Sequence, residues 1–468
     1  MFMDKKPCFQ SCYILIRSLK KLLPNLKSRM MKIDYNKSMN TNHYRKKVII
    51  IGAGFAGYNA VRVLEKSDDF SITLIDRENH NLFQPMLYQV ATGLIPIVSV
   101  AVPIRYLIRK STKFIQGEVY DIDFQNKQIY LNHQKLSFDY LIICAGSKYQ
   151  YFNTDWERYT LSLKTASDAL SMKDHILQRF EQAEVEPDPD VKKRLLSFYI
   201  IGGGATGVEI CGSLTDLINT KFIDHFHNIS IDQITICVIE AGDRLLSSFS
   251  QRSSDIAFKD LSKKGGVIKL SEKVISISSG VIETSKAIYN ADTIIWCVSL
   301  VSSMNNVVDE SYTDSLGRIV VDKFLSMKEF PDIYCLGDAS YAVDENDNPY
   351  PGLASVAKQQ GSYAAKDIIS RLKKSKRKKF HFKDYGSMAV ISNHSAIAEF
   401  KRFYCHGRCG WYLWGFVHIY FLVNIKNKFS VFFNWMSYYF LKRPSSLIIL
   451  NRHRNKIDDL TDDNNSSK

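Results

Sequence analysis

Outside two short C-terminal stretches, no part of this 468-residue chain approaches the roughly 20 uncharged apolar residues that a membrane-spanning helix needs, which excludes a polytopic transporter. Cysteine is scarce: there are nine, and after the first glycine-rich motif no Cys-x-x-Cys or Cys-x-x-x-x-Cys pair occurs. That excludes a disulfide-stapled scaffold and argues against a dithiol redox centre, and single Cys residues in apolar runs fit a reducing compartment. Cys405, His406 and Cys409 are too few ligands for a zinc site, so no metal is expected. Acidic residues are nearly missing from the start of the chain. Twelve Lys and Arg but only Asp4 and Asp34 fall in residues 1–47, so +10 of the net +14 is concentrated there. The remaining residues carry +4, which gives no basic face for nucleic acid. This leader is composed like a transit peptide, and equally like an extension ahead of a later start such as Met30, Met31 or Met39. With 45% apolar and 24% charged residues, the chain as a whole reads as globular, and its length suggests about three structural units.

Two copies of one signal organise the body. Lys47–Ile51 is a short β-branched run leading directly into Gly52-Ala-Gly54-Phe-Ala-Gly57 and a helix-like stretch. A second strand, Ser71–Asp76, ends in an acid 24 residues after Gly52. This is a complete βαβ dinucleotide fingerprint: Gly52 for the tight turn, Gly54 for backbone approach to a pyrophosphate, Gly57 for close helix–strand packing and Asp76 for a ribose hydroxyl. The second copy is Leu195–Ile201, then Gly202-Gly-Gly204-Ala-Thr-Gly207, with Glu240 closing the strand Ile234–Glu240. Its 38-residue spacing is long because a segment around 217–232 intervenes. Two nucleotide sites imply two cofactors. Two further strands end at small residues suited to a ligand crevice, Tyr140–Cys144 before Ala145-Gly146 and Ile333–Leu336 before Gly337-Asp338, although Gly-Asp is also a common turn.

After the basic run Arg371–Lys379 the composition turns aromatic. Trp411–Val423 and Phe429–Leu441 hold 13 residues each without Asp, Glu, Lys or Arg. Such helices are about 20 Å long, short of the ~30 Å hydrocarbon core, so they can lie in a membrane interface but not cross it. Burial in a homodimer interface is the competing reading.

Together these features resemble the two-dinucleotide-binding-domain flavoproteins, and within them the type II NADH dehydrogenases, over about residues 46–450. The most specific pieces are His80-Asn-Leu-Phe-Gln84-Pro85-Met-Leu-Tyr-Gln-Val-Ala-Thr-Gly93, Gly202–Glu209, Cys335–Asp338 and Ala354-Ser-Val-Ala-Lys-Gln359-Gln360-Gly361. Ser355 and the segment around His394 depart from the family pattern. The resemblance implies an α/β fold with two Rossmann-like domains plus a C-terminal membrane-anchoring helical region. The division is a leader at 1–45, an FAD domain at 46–160 and 325–370, an NADH domain at 161–324, an anchor region at 380–450 and a tail at 451–468. FAD would lie on Gly52, Gly54, Gly57, Asp76, Gln84, Pro85, Ala145, Gly146, Gly337 and Asp338, and NADH on Gly202, Gly204, Gly207 and Glu240. Glu209, in the first turn of its helix, would stand near the nicotinamide–flavin contact. Gln359 and Gln360 would meet the carbonyls of a membrane quinone, their bland alternative being amides satisfied by neighbouring backbone. The implied activity is hydride transfer from NADH to FAD and two-electron reduction of ubiquinone or menaquinone without proton pumping. The implied location is peripheral, on the cytoplasmic face of a bacterial inner membrane or on the mitochondrial inner membrane. A sulfide:quinone oxidoreductase, another flavin-dependent reductase and a non-catalytic flavin-bearing protein remain alternatives.

Overall fold

The computed structural model describes residues 45–450 except 132, 133, 402, 443 and 445. The basic leader and the last 18 residues lie outside the described residues. Strand β1 (Lys46–Ile51) leads through the first glycine turn into helix α1 (Phe55–Leu64) and strand β2 (Phe70–Asp76). The short helix α2 (Leu87–Ala91) and strands β3 (Lys113–Gln116) and β4 (Tyr140–Ile143) follow. Helix α3 (Ala166–Val185) precedes the second glycine turn, which is built from β5 (Ser197–Ile201), α4 (Ala205–Ile218) and β6 (Thr235–Ile239). Then come α5 (Gln251–Lys263), β7 (Gly266–Lys269), β8 (Thr293–Trp296), β9 (Ile333–Cys335) and α6 (Ala354–Leu372). The chain closes with β10 (Ser387–Ser392), β11 (Ser395–Phe400), β12 (Phe403–His406), α7 (Gly407–Phe421) and α8 (Ile425–Leu441).

Two parallel sheets carry the architecture. In the first the order is β9-β4-β1-β2-β3; in the second it is β7-β6-β5-β8. Strands covered on both faces need apolar residues at every position rather than alternation. Ser197-Phe-Tyr-Ile-Ile201 is buried throughout, and Val48–Ile51 likewise. β9 comes from far along the chain to pair with β4, and α6 then packs on α1 so closely that a Cβ at Gly361 would strike the Ala56 backbone. The first sheet is thus completed by residues that follow the second.

The insertion that lengthens the second fingerprint is the end of α4 plus single turns at Ile223–His225 and Ile231–Gln233. α4 in turn touches the antiparallel sheet β10-β11-β12: a Cβ at Gly212 would collide with the Ile391 carbonyl, so only glycine lets the two meet.

The aromatic tail forms two helices of 15 and 17 residues, longer than the charge-free stretches because the helices extend through flanking polar residues. Among the described residues no helix is long and apolar enough to cross a membrane. Each helix has two different faces. Trp414, Val431, Trp435 and Tyr438 are buried and belong to the same apolar core as β5, α3 and α4 apart from Tyr438, which stands beside it. Phe416, Tyr420, Phe433 and Phe440 point outward, Phe416 and Phe440 with 70% and 74% of their surface exposed. The tail therefore closes the core and is not a detachable appendage.

Candidate functional site: a cleft shared by the two glycine turns

The cleft opens where the first sheet's strands end, the position at which doubly wound sheets receive ligands. Gly52 has φ +101°, outside the range of side-chain-bearing residues, and a Cβ at Gly57 would run into the Gly52 carbonyl. The turn is therefore as tight as glycine permits. At Gly54, by contrast, an added Cβ meets no protein atom within 4 Å, because that position faces the open cleft. Gly54 caps α1 without any side-chain hydrogen bond, and no acid occupies the first helical turn, so its free N–H groups and positive dipole end are available to an anion. Asp76 accepts from Ala53 N at 2.6 Å and Glu78 N at 2.8 Å, bracing the turn; burial raises its pKa and these backbone donors oppose the rise. Asn81 Nδ2 donates to Ala53 O at 2.6 Å from the other side.

The cleft holds about 440 Å³ and brings together Gly52, Gly54, Asp76, Gln84, Pro85, Ala145, Gly146, Gly337 and Asp338. Gly57 lies behind the wall, with Cys144 as neighbour. The Cys144 thiol donates to Gly52 O, and burial holds it well above the ordinary thiol range, so it is no nucleophile for sulfide chemistry. Ser147 Oγ donates to Asp338 Oδ2 at 2.8 Å, and Lys164 Nζ stands 3.8 Å from the same oxygen, its pKa lowered by burial and partly restored by Asp338. Pattern reading missed Lys164, Ser147, Asn81 and Thr206. Lys164 had a signal: Thr165 and Asp168 form a capping box that starts α3, which fixes the residue just before it at the cleft edge.

The second turn repeats the first. Gly202 has φ +108°, Gly204 is open, and Glu240 accepts from Gly203 N at 2.5 Å and Gly242 N at 2.6 Å. α4 also starts without a side-chain cap or an acid in its first turn. Arg244 is turned away, donating to Ser247 O at 2.7 Å and Phe249 O at 3.1 Å. Thr206 and Glu209 of this second helix line the first turn's cleft. Glu209 is the fifth helical residue, beyond the first turn, because α4 starts at Ala205. Burial pushes its pKa to about 8, and its one hydrogen bond, from Val390 N at 3.3 Å, acts against the rise.

The two glutamines are not on the cleft wall. Gln360 is buried and its Oε1 accepts from Gly337 N at 2.6 Å, fixing the Gly337-Asp338 turn. Gln359 exchanges two hydrogen bonds with the backbone of Lys383, at 2.9 and 3.0 Å. Gln359 lies on the far side of α6 from Leu353 and Ala357, which meet the cleft, whereas Gln360 shares their face but sits further along the helix, with its amide held by Gly337 N. His394, at φ +71°, stacks edgewise on Trp411 and Tyr439 and does not line the cleft.

Comparison with known proteins agrees with this geometry. Residues 46–361 match the pyridine nucleotide-disulphide oxidoreductase family model, and residues 385–444 match the NDH2 C-terminal domain. The type II NADH:quinone oxidoreductases Ndh and NdhA of Mycobacterium tuberculosis are 31% and 30% identical over 425 and 412 residues. The alignments cover 86% and 84% of this chain and 90% and 86% of the relatives. The structure of NDH2 from Plasmodium falciparum in complex with NADH superposes with a TM-score of 0.79 at 23% identity, over 86% of this chain and all of that one.

Proposed function

The chain belongs to the type II NADH:quinone oxidoreductases, a branch of the pyridine nucleotide-disulphide oxidoreductase family, and from that premise we propose how its residues divide the work. The enzyme passes electrons from NADH to a quinone and uses FAD. The observation that carries the assignment of roles is that Thr206 and Glu209, on the helix of the second glycine turn, line the cleft of the first. Two dinucleotides held on these turns would come together near Glu209, which gives the proximity that hydride transfer requires.

The residues present fit FAD. Gly54 leaves a cradle that a Cβ would fill, the uncapped start of α1 suits a pyrophosphate, and Asp338 with Ser147 suits a polyol chain. Bound there, FAD supplies the hydride acceptor and the two-electron donor of the reaction. Lys164 supplies positive charge beside Asp338. Gly202, Gly204 and Gly207 shape the NADH turn, and Glu240 takes the adenosine ribose, its carboxylate repelling a 2′-phosphate while Arg244 stays on its own loop. Glu209, protonated at neutral pH, holds a proton at the meeting point.

The outward aromatic face of α7 and α8, flanked by Lys426 and Lys428 at the helix junction and Lys442 at the end, suits a lipid interface better than a homodimer contact, since its cations stand at the ends of a ring-bearing face free of charge. This would hold the enzyme peripherally on the NADH-containing side of a bacterial inner membrane or of a mitochondrial inner membrane. Purified protein should show a flavin absorption that bleaches with NADH and returns with quinone. A protein free of flavin after mild purification, or one whose flavin ignores NADH, would overturn the assignment of roles.

A further inference from the structure

Reduction of a quinone by NADH consumes one proton from the medium: NADH + H⁺ + quinone gives NAD⁺ + quinol. Glu209 lies deep, so this proton needs a path. We propose that Asp216 and Lys264 form the inlet through which it reaches Glu209, with Tyr88 as the step between; the inference rests on the proposed role of Glu209.

Glu209, Ser213 and Asp216 follow at intervals of four and three residues, so they share one face of α4. Glu209 lines the cofactor cleft, whereas Ser213 and Asp216 line a second cavity of about 40 Å³. That volume accommodates about two or three waters and no quinone ring. The partition between the two spaces is thin. Tyr88 lines both, and Val390, which lines the second, donates its N–H to Glu209. The second cavity is polar enough to order water: Thr92 Oγ1 and Ser213 Oγ are 2.7 Å apart, and Trp435 Nε1 donates to Gln89 Oε1 at 2.9 Å. Gln89 Nε2 donates to the Tyr88 hydroxyl at 3.0 Å, which leaves the phenolic proton to be given to another acceptor.

At the outer end Lys264 Nζ donates to Asp216 Oδ1 at 2.6 Å, and Asn393 N donates to Oδ2. The Lys264 side chain is 33% exposed and that of Asp216 13%, so the pair spans the boundary between water and interior. Burial raises the Asp216 pKa, and Lys264 and the Asn393 N–H oppose that rise. The ionisable groups facing Asp216 are Lys264 after α5, Tyr88 in α2, Tyr438 in α8, His394 at the β10–β11 turn beside Lys264, and Cys211 on α4 itself, a thiol that burial keeps protonated. Burial raises both tyrosines and lowers the histidine, so these three are neutral near pH 7 and leave Lys264 as the charge that sets Asp216.

The test is Asp216→Asn in the full-length holoenzyme, assayed with NADH and a short-chain quinone across pH 6–9 in H₂O and D₂O. Asparagine keeps an acceptor for Asn393 N, so the brace between α4 and the β10–β11 turn survives. The quinone-dependent kcat should fall at least tenfold at the alkaline end and acquire a larger solvent isotope effect, while flavin bleaching by NADH alone keeps its rate. Asp216→Glu should restore most of the loss, and Lys264→Gln should move the alkaline limb. Independently of turnover, infrared pH-difference spectra of the parent should contain a carboxyl band that Asp216→Asn removes. Parent-like quinone kinetics in Asp216→Asn beside impaired Glu209→Gln would overturn the inlet alone. Parent-like kinetics in both would also remove the role of Glu209. A loss that Asp216→Glu does not rescue, or spectra from which no band disappears, would reduce Asp216 to a structural brace.

Discussion

Replacing Glu209 by Gln tests the site in two independent ways. A glutamate has an ordinary pKa of 4.5, and burial pushes Glu209 to about 8. Between those values the folded protein keeps a proton that the unfolded chain has released. Its contribution to stability is therefore fully present below about pH 4.5, declines as pH rises and is lost beyond about pH 8. At about 1.4 kcal/mol per pH unit, the whole span is worth about 5 kcal/mol at most, a large part of the stability of a typical domain. Gln has a similar shape and its Oε1 can still accept from Val390 N, but it does not titrate. Thermal unfolding of parent and Glu209→Gln from pH 5 to pH 9 should show the parent losing several degrees more than the variant on the alkaline side. Quinone turnover gives the second reading. The parent should lose kcat as Glu209 ionises above about pH 8, whereas the variant should be slow throughout with that limb missing. Superimposable pH dependences of both unfolding and turnover would refute the reasoning.

Other perturbations address the remaining parts. Gly54→Val should fold normally, since its Cβ meets no protein atom, yet lose FAD on gel filtration because the side chain fills the cradle. NADH should be preferred to NADPH by tenfold or more in kcat/KM, about 1.4 kcal/mol, and Glu240→Ala should narrow that ratio in steady-state assays. Gln360→Leu leaves Gly337 N without its amide partner in a part-buried turn and should cost about 1 kcal/mol in denaturant unfolding, together with weaker flavin retention. Truncation of the tail would expose Trp414 and Trp435, so membrane binding is better probed by Phe416→Ser with Phe433→Ser. This pair should leave the thermal midpoint close to the parent's while weakening co-flotation with lipid vesicles.

The two glycine turns were legible because they are local. The strand, the three glycines and the closing acid lie within 24 and 38 residues, and each residue type answers a backbone demand that no neighbour elsewhere can alter. Asp76 and Glu240 both end strands beside their glycine turns and hold them from the carboxylate side. The two-faced character of α7 and α8 was only half visible. Aromatic content marked them, but the same residue types serve the core at Trp414 and Trp435 and the exposed face at Phe416 and Phe433.

The partners of the two glutamines were hidden for a related reason. Gln359 and Gln360 sit in a recognisable motif, but an amide's partner is chosen by helix rotation and by backbone groups from distant segments, here Lys383 and Gly337. Asp216 and Lys264, 48 residues apart, had no signal in the sequence at all. The sequence by itself determined the two nucleotide turns, the absence of a spanning helix in the described part and the need for two dinucleotides, because these depend on short-range backbone geometry and composition; which dinucleotides they are came from the family resemblance. Tertiary structure alone decided that Glu209 faces the other turn's cleft, that the tail closes the core and that a buried carboxylate meets water through a lysine, because burial and long-range contact set the protonation of each group.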